Sequence, residues 1–166
     1  MARPAHLPAT YTKVSYMNVH SWCEAMVEPA PSPQAAAKGI VPTSSTISVV
    51  DDDASVREAL KGLLKSAGFH AEAFASAEEF LHSGRLANTA CLILDVRMPG
   101  MGGLELQRRL VAGNHRVPVI FITAHGDEEL RLRALGSGAA DYLYKPFSEQ
   151  TLLDAIARCI GTSPAG

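Results

Sequence analysis

Cys91-Leu92-Ile93-Leu94-Asp95-Val96-Arg97-Met98-Pro99-Gly100 is the stretch on which the rest of the chain turns. Four consecutive apolar residues suit a strand covered on both faces, as in a parallel sheet flanked by helices. The strand delivers one carboxylate to its end, and a Pro-Gly turn then leads the chain away. In open sheets of this kind ligands gather at the carboxyl ends of the strands, so Asp95 stands where chemistry is expected. An aspartate in that place also caps turns. This stretch leaves both roles open, and the other strands decide between them.

On the amino-terminal side, Ile47-Ser48-Val49-Val50 reads as a first strand running into Asp51-Asp52-Asp53. A helix then starts near Ser55, with Val56, Leu60, Leu63 and Leu64 at helical spacing, and Gly68 closes it. A short alternating strand, Phe69 to Phe74, leads to Ser76, which caps a helix carrying Phe80 and Leu81 and ended by Gly84. On the carboxyl side, Gly102 and Gly103 open a helix with Leu104, Leu106, Leu110 and Val111. Val117 to Ile122 is a fourth buried strand, with Pro118 at its start, ending at Thr123. Asp127, Glu128 and Glu129 suit the first turn of the next helix, which Gly136 and Gly138 end. Asp141 to Tyr144 is a fifth strand closed by Lys145-Pro146, and Ser148 begins a last helix from Glu149 to Ile160. Its Leu152, Leu153, Ile156 and Ile160 should face the sheet. Strand and helix alternate five times, which predicts an α/β fold with a parallel sheet and helices on both faces.

Residues 1–45 have a different character. They hold six of the ten prolines and no apolar periodicity, and residues 28–35 read as an extended, solvated linker. The expectation is a disordered extension over 1–45, the folded domain over 46–161 and a tail over 162–166. Val41 lies where such a domain would naturally begin, so a start of translation at Val41 competes with a genuine proline-rich tether. The 166 residues carry a net charge of −2, which is no electrostatic footprint for nucleic acid. No run approaches the roughly 20 apolar residues of a membrane span, and no secretory leader stands at the start. Three distant cysteines have no metal-ligand spacing, and Cys91 and Cys159 read as buried small hydrophobes in a reducing, cytoplasmic setting.

Four of the five strands deliver Asp51 and Asp52, Asp95, Thr123 and Lys145 to one end of the sheet. Carboxylates about 4 Å apart repel by about 4 kcal/mol per pair at an effective dielectric of ~20. Such a cluster needs a cation, and an all-oxygen set with room for water and phosphate oxygens suits Mg²⁺. A lysine and a threonine hydroxyl complete a cradle for a phosphoryl group. Asp95 is then the natural nucleophile.

These pieces resemble the receiver domain of two-component response regulators, and FixJ-type receivers in particular, over about 46–161. The resemblance rests on Val49-Val50-Asp51-Asp52-Asp53, Leu94 to Gly103, Ile122-Thr123-Ala124 and Tyr142-Leu143-Tyr144-Lys145-Pro146-Phe147. It implies a flavodoxin-like doubly wound sheet in the order 2-1-3-4-5. It implies that Asp95 accepts phosphate from a histidine kinase or phosphotransfer protein, and that Asp51, Asp52, Asp95 and the backbone carbonyl of Arg97 hold Mg²⁺. Thr123 would bond a phosphoryl oxygen and Lys145 would pair with it, next to a cis Lys145–Pro146 bond. Tyr142 would be the switch aromatic that turns inward when Thr123 moves.

Other residues have plainer readings: Asp53 as a solvated loop acid, Tyr144 as a packing or surface residue, and Arg108 and Arg109 as a solvated helix face. His125 lies near the site mouth and bears on dephosphorylation. Only Thr162 to Gly166 follow the last helix, so the expectation is a stand-alone receiver that does not bind DNA directly and is not an enzyme on other substrates. Its output would be a protein contact through the last two helices and the strand between them, as a monomer or a weak phosphorylation-dependent dimer. Two rivals stand beside this. One is an aspartyl-phosphate phosphohydrolase, whose haloacid-dehalogenase pattern wants an aspartate where Arg97 stands. The other is a structural receiver that works without phosphorylation.

Overall fold

The computed structural model describes residues 45–161. The extension over 1–45, the Val41 start and the tail over 162–166 therefore fall, apart from Ser45, outside the described residues. Five strands alternate with five helices: β1 Thr46–Val50, α1 Ala54–Ser66, β2 His70–Phe74, α2 Ala77–His82, β3 Thr89–Asp95, α3 Gly103–Ala112, β4 Val119–Thr123, α4 Glu128–Gly136, β5 Asp141–Tyr144 and α5 Glu149–Gly161. A 3₁₀ turn, Leu86–Asn88, which the periodicity does not announce, leads into β3.

The sheet is parallel in the order β2-β1-β3-β4-β5. β1 lies beside β3 with Val50 opposite Leu94, so the residues that follow each, Asp51 and Asp95, emerge side by side. β3 pairs with β4 as Asp95 opposite Ile122, which brings Thr123 to the same edge.

Alternation along the strands divides the core in two. Ile47, Val49, Cys91, Ile93, Ile120, Ile122 and Leu143 pack against α1 and α5. Val50, Leu92, Leu94, Val119, Phe121 and Tyr142 pack against α2, α3 and α4. Helices thus cover both faces, as the unbroken apolar run of β3 requires. None of the helices described is long and apolar enough to cross a membrane.

Several expectations shift in detail. The α1 cap is Asp53, whose carboxylate accepts from the backbone N–H groups of Ser55 and Val56. A side-chain oxygen one residue before the helix meets the free amides of its first turn, which is why Asp53 caps and Ser55 lies inside. Asp53 is thus a cap and not a solvated loop acid. β2 starts at His70, because Gly68, at φ 89°, turns the chain out of α1. On α5 the buried face is Leu152, Ala155, Ile156 and Cys159, with Leu153 and Ile160 half-buried at its margin.

Candidate functional site

The adjacent ends of β1 and β3 bring three carboxylates together. Oxygen atoms of Asp51, Asp52 and Asp95 lie within 4.8 Å of one another. Asp51 and Asp95 are buried and Asp52 is exposed, so the cluster has one wet side. Lys145, just past β5, reaches beneath the end of β4. Its Nζ donates to Asp51 Oδ2 at 2.9 Å and lies 3.6 Å from Asp95 Oδ1. Its backbone N–H donates to the Thr123 carbonyl at 2.7 Å, and the Lys145–Pro146 bond that follows is cis.

The balance of charge is written in Asp95. Burial pushes its carboxyl up; Lys145 pulls it down, and Asp51 and Asp52 push it up again, to about 7. One ammonium is thus too little positive charge for three acids. The donor set is oxygen only, with no sulfur or imidazole, and part of it faces water. That chemistry fits a small hard dication such as Mg²⁺, and Asp51, Asp52 and Asp95 are the side chains that would hold it.

Thr123 ends β4, buried, at the rim of this cluster. Its hydroxyl accepts from His125 N–H at 3.2 Å and lies 3.4 Å from the His125 carbonyl, so it is engaged with its own loop and not with the acids. Arg97 lies in the loop after β3 with its side chain exposed. Tyr142 is already inside, its ring tilted 6.0 Å from Phe121 and edge-on 5.4 Å from Tyr144. Its hydroxyl is buried without a hydrogen-bond partner. An inward turn that waits for Thr123 to move therefore does not describe this conformation, because apolar packing on Phe121 already holds the ring. Tyr144 is a surface residue, donating from its hydroxyl to Glu128 at 3.3 Å.

Four residues to which the sequence reading gave no part in the site shape it. Arg57, one turn into α1, donates to the Asp51 carbonyl at 2.7 Å. The backbone N–H of Asp53 donates to Asp51 Oδ1 at 2.8 Å, which fixes that carboxylate from the other side. Glu78, on α2, accepts the Met101 N–H at 2.9 Å and so braces the loop that follows Asp95. Its own backbone N–H and that of Met101 hold its carboxyl below the usual range. Gly103 is required by proximity: a Cβ there would stand 2.3 Å from the Asp95 carbonyl oxygen. The adjacent glycines at 102 and 103 were a visible signal for that approach. Glu78 gave none, because its partner is a loop amide distant in sequence.

The sequence pattern of the family described as Response regulator receiver domain matches residues 47–157. Nodulation protein W of Bradyrhizobium diazoefficiens is 47% identical over 114 residues, which are 69% of this chain and 50% of that protein. The chain spans about half the length of the curated relatives it matches. Among solved structures, the response regulator StyR superposes with a TM-score of 0.67 at 52% identity, covering 71% of this chain and 60% of that one. FixJ-N superposes with a TM-score of 0.66 at 36% identity, covering 71% and 94% respectively.

Proposed function

Since the chain belongs to the response regulator receiver family of two-component systems, we propose that it is a phosphoacceptor switch, phosphorylated on Asp95 with Mg²⁺ as the required ion. The observation that carries this reading is the meeting of Asp51, Asp52, Asp95 and Lys145 at one sheet edge. The donor is the phosphohistidine of a histidine kinase or phosphotransfer protein.

In the transfer, an oxygen of Asp95 attacks phosphorus, a P–O bond forms and the donor's N–P bond breaks. Bound Mg²⁺ would neutralise phosphoryl oxygens and keep Asp95 ionised. The protein's own groups do the remaining work. The Asp53 N–H and Arg57 hold Asp51 in place, and Glu78 and Gly103 set the loop after Asp95. Lys145 then exchanges its carboxylate partner for a phosphoryl oxygen. Thr123 exchanges its His125 contacts for another, which shifts the loop before α4. Since Tyr142 is already packed inward, the phosphoryl group stabilises an arrangement that this ring has already adopted. The surface that changes is α4, β5 and α5, where Leu132 and Tyr144 are exposed, and its partner is a protein, a second copy included.

Acetyl phosphate and Mg²⁺ supply the test. Intact-mass measurement should show one added phosphoryl group on the wild type and none on Asp95→Asn. A variant that gains the group as the wild type does overturns the assignment.

A further inference from the structure

Four residues before Asp95 on β3, Cys91 turns into the core shared by α1 and α5. Cys159, on the last turns of α5, meets it there. Their sulfurs are 2.8 Å apart, closer than ordinary van der Waals contact, and the residues are 0% and 1% exposed. The two thiols are 68 residues apart in sequence and take no part in the acid cluster. We propose that Cys91 and Cys159 form an oxidisable dithiol, which hydrogen peroxide converts into an intramolecular disulfide fastening α5 to the strand that carries Asp95.

The chemistry balances without any other reactant. One thiol ionises and its sulfur attacks a peroxide oxygen; an S–O bond forms, the O–O bond breaks, and the expelled hydroxide takes up the released thiol proton and leaves as the first water. The second thiol attacks the sulfenic sulfur; an S–S bond forms, the S–O bond breaks and a second water departs. Two electrons pass from the sulfurs to peroxide. No large movement is needed, because a sulfur pair in contact has to close only to the bond length of about 2.0 Å.

The packing also sets when this occurs. The hydrogen bond shared with Cys159, burial and the neighbouring sulfur push the Cys91 thiol well above its usual range, so thiolate is scarce while α5 is seated. Cys159 lies two residues before Gly161, where α5 ends, and opening of that last turn admits water and peroxide. Reactivity therefore follows undocking of α5, and the product prevents it. The inference is independent of phosphoryl transfer.

The full chain treated with peroxide, alkylated and digested with trypsin under non-reducing conditions reads this out. Cleavage after Arg85, Arg97 and Arg158 puts Cys91 in peptide 86–97 and Cys159 in 159–166, while Cys23 falls in 14–38. The expected product is 86–97 linked to 159–166, released by dithiothreitol, with amide exchange in α5 slowed about tenfold. Recovery of both peptides alkylated, separately oxygenated, or linked to 14–38 or to a second molecule overturns the proposal. In Cys159→Ala, peroxide should leave α5 exchange unchanged, and equal slowing there also overturns it. The wild-type peptide map decides the matter even if that variant does not fold.

Discussion

Asp95 carries a cost that its neighbours only partly offset. Burial first, and then the charges of Asp51 and Asp52, push its carboxyl in the folded chain from an ordinary 3.8 up to about 7, against the pull of Lys145. The folded state therefore binds the proton more tightly than the unfolded state, and stability falls as pH rises from about 4 through about 7. In metal-free protein, Asp95→Asn should exceed the wild type in unfolding free energy by about 1–3 kcal/mol at pH 8 and match it near pH 4. Urea titrations at the two pH values measure this, and an equal difference at both would remove Asp95 as the source. Glu78 acts at the same scale through a single acceptor. Glu78→Ala leaves the Met101 N–H without its acceptor in the turn between β3 and α3. Amide exchange at Met101 should then rise severalfold while that of β1 stays as it was. Unchanged exchange at Met101 would show that Glu78 does not brace the loop.

Among the elements, α4 is the least firmly seated. Ala134 is its one buried residue, whereas α1, α3 and α5 each bury four. Part of its attachment is polar: the Gln107 amide reaches the Ala134 and Ser137 carbonyls at 3.4 Å. An element with little buried apolar surface opens at low free energy, which suits a surface that must respond to a ligand. Tyr142 packs beneath it with a buried, unpartnered hydroxyl. A buried donor without an acceptor costs more than a phenyl hydrogen in its place. Tyr142→Phe should therefore stabilise the chain by about 1 kcal/mol, read from chemical denaturation. A loss of similar size would mean that the hydroxyl has a bonded partner.

For the whole molecule, folding assembles three acids around one lysine, and a divalent cation that binds only this assembly stabilises the folded state. At a Mg²⁺ concentration a hundred times its Kd the gain is about 2.7 kcal/mol. Asp51→Asn should lose most of that gain. Lys145→Ala should lower the melting temperature of metal-free protein, since Asp51 and Asp95 lose their nearest cation. The same variant should gain more from Mg²⁺ than the wild type does. Thermal melts with and without Mg²⁺ measure all three. Equal Mg²⁺ shifts in the wild type and Asp51→Asn would place the ion elsewhere.

The order of strands and helices, and the candidate residues at the strand ends, were legible from the sequence. Apolar runs such as Cys91 to Leu94 and the helical spacing of Val56, Leu60, Leu63 and Leu64 express local periodicity, which needs no knowledge of neighbours. The cap of α1 was not legible, because Asp53 and Ser55 are both good caps and only backbone geometry chooses between them. What the tertiary structure alone decided are the contacts between distant segments. Lys145 rests on Asp51, Glu78 on Met101, Cys91 on Cys159, and Tyr142 lies inside against Phe121. Each is set by how strands and helices stack in space. The energy of a pair 94, 23 or 68 residues apart leaves no periodic mark on the sequence around either partner.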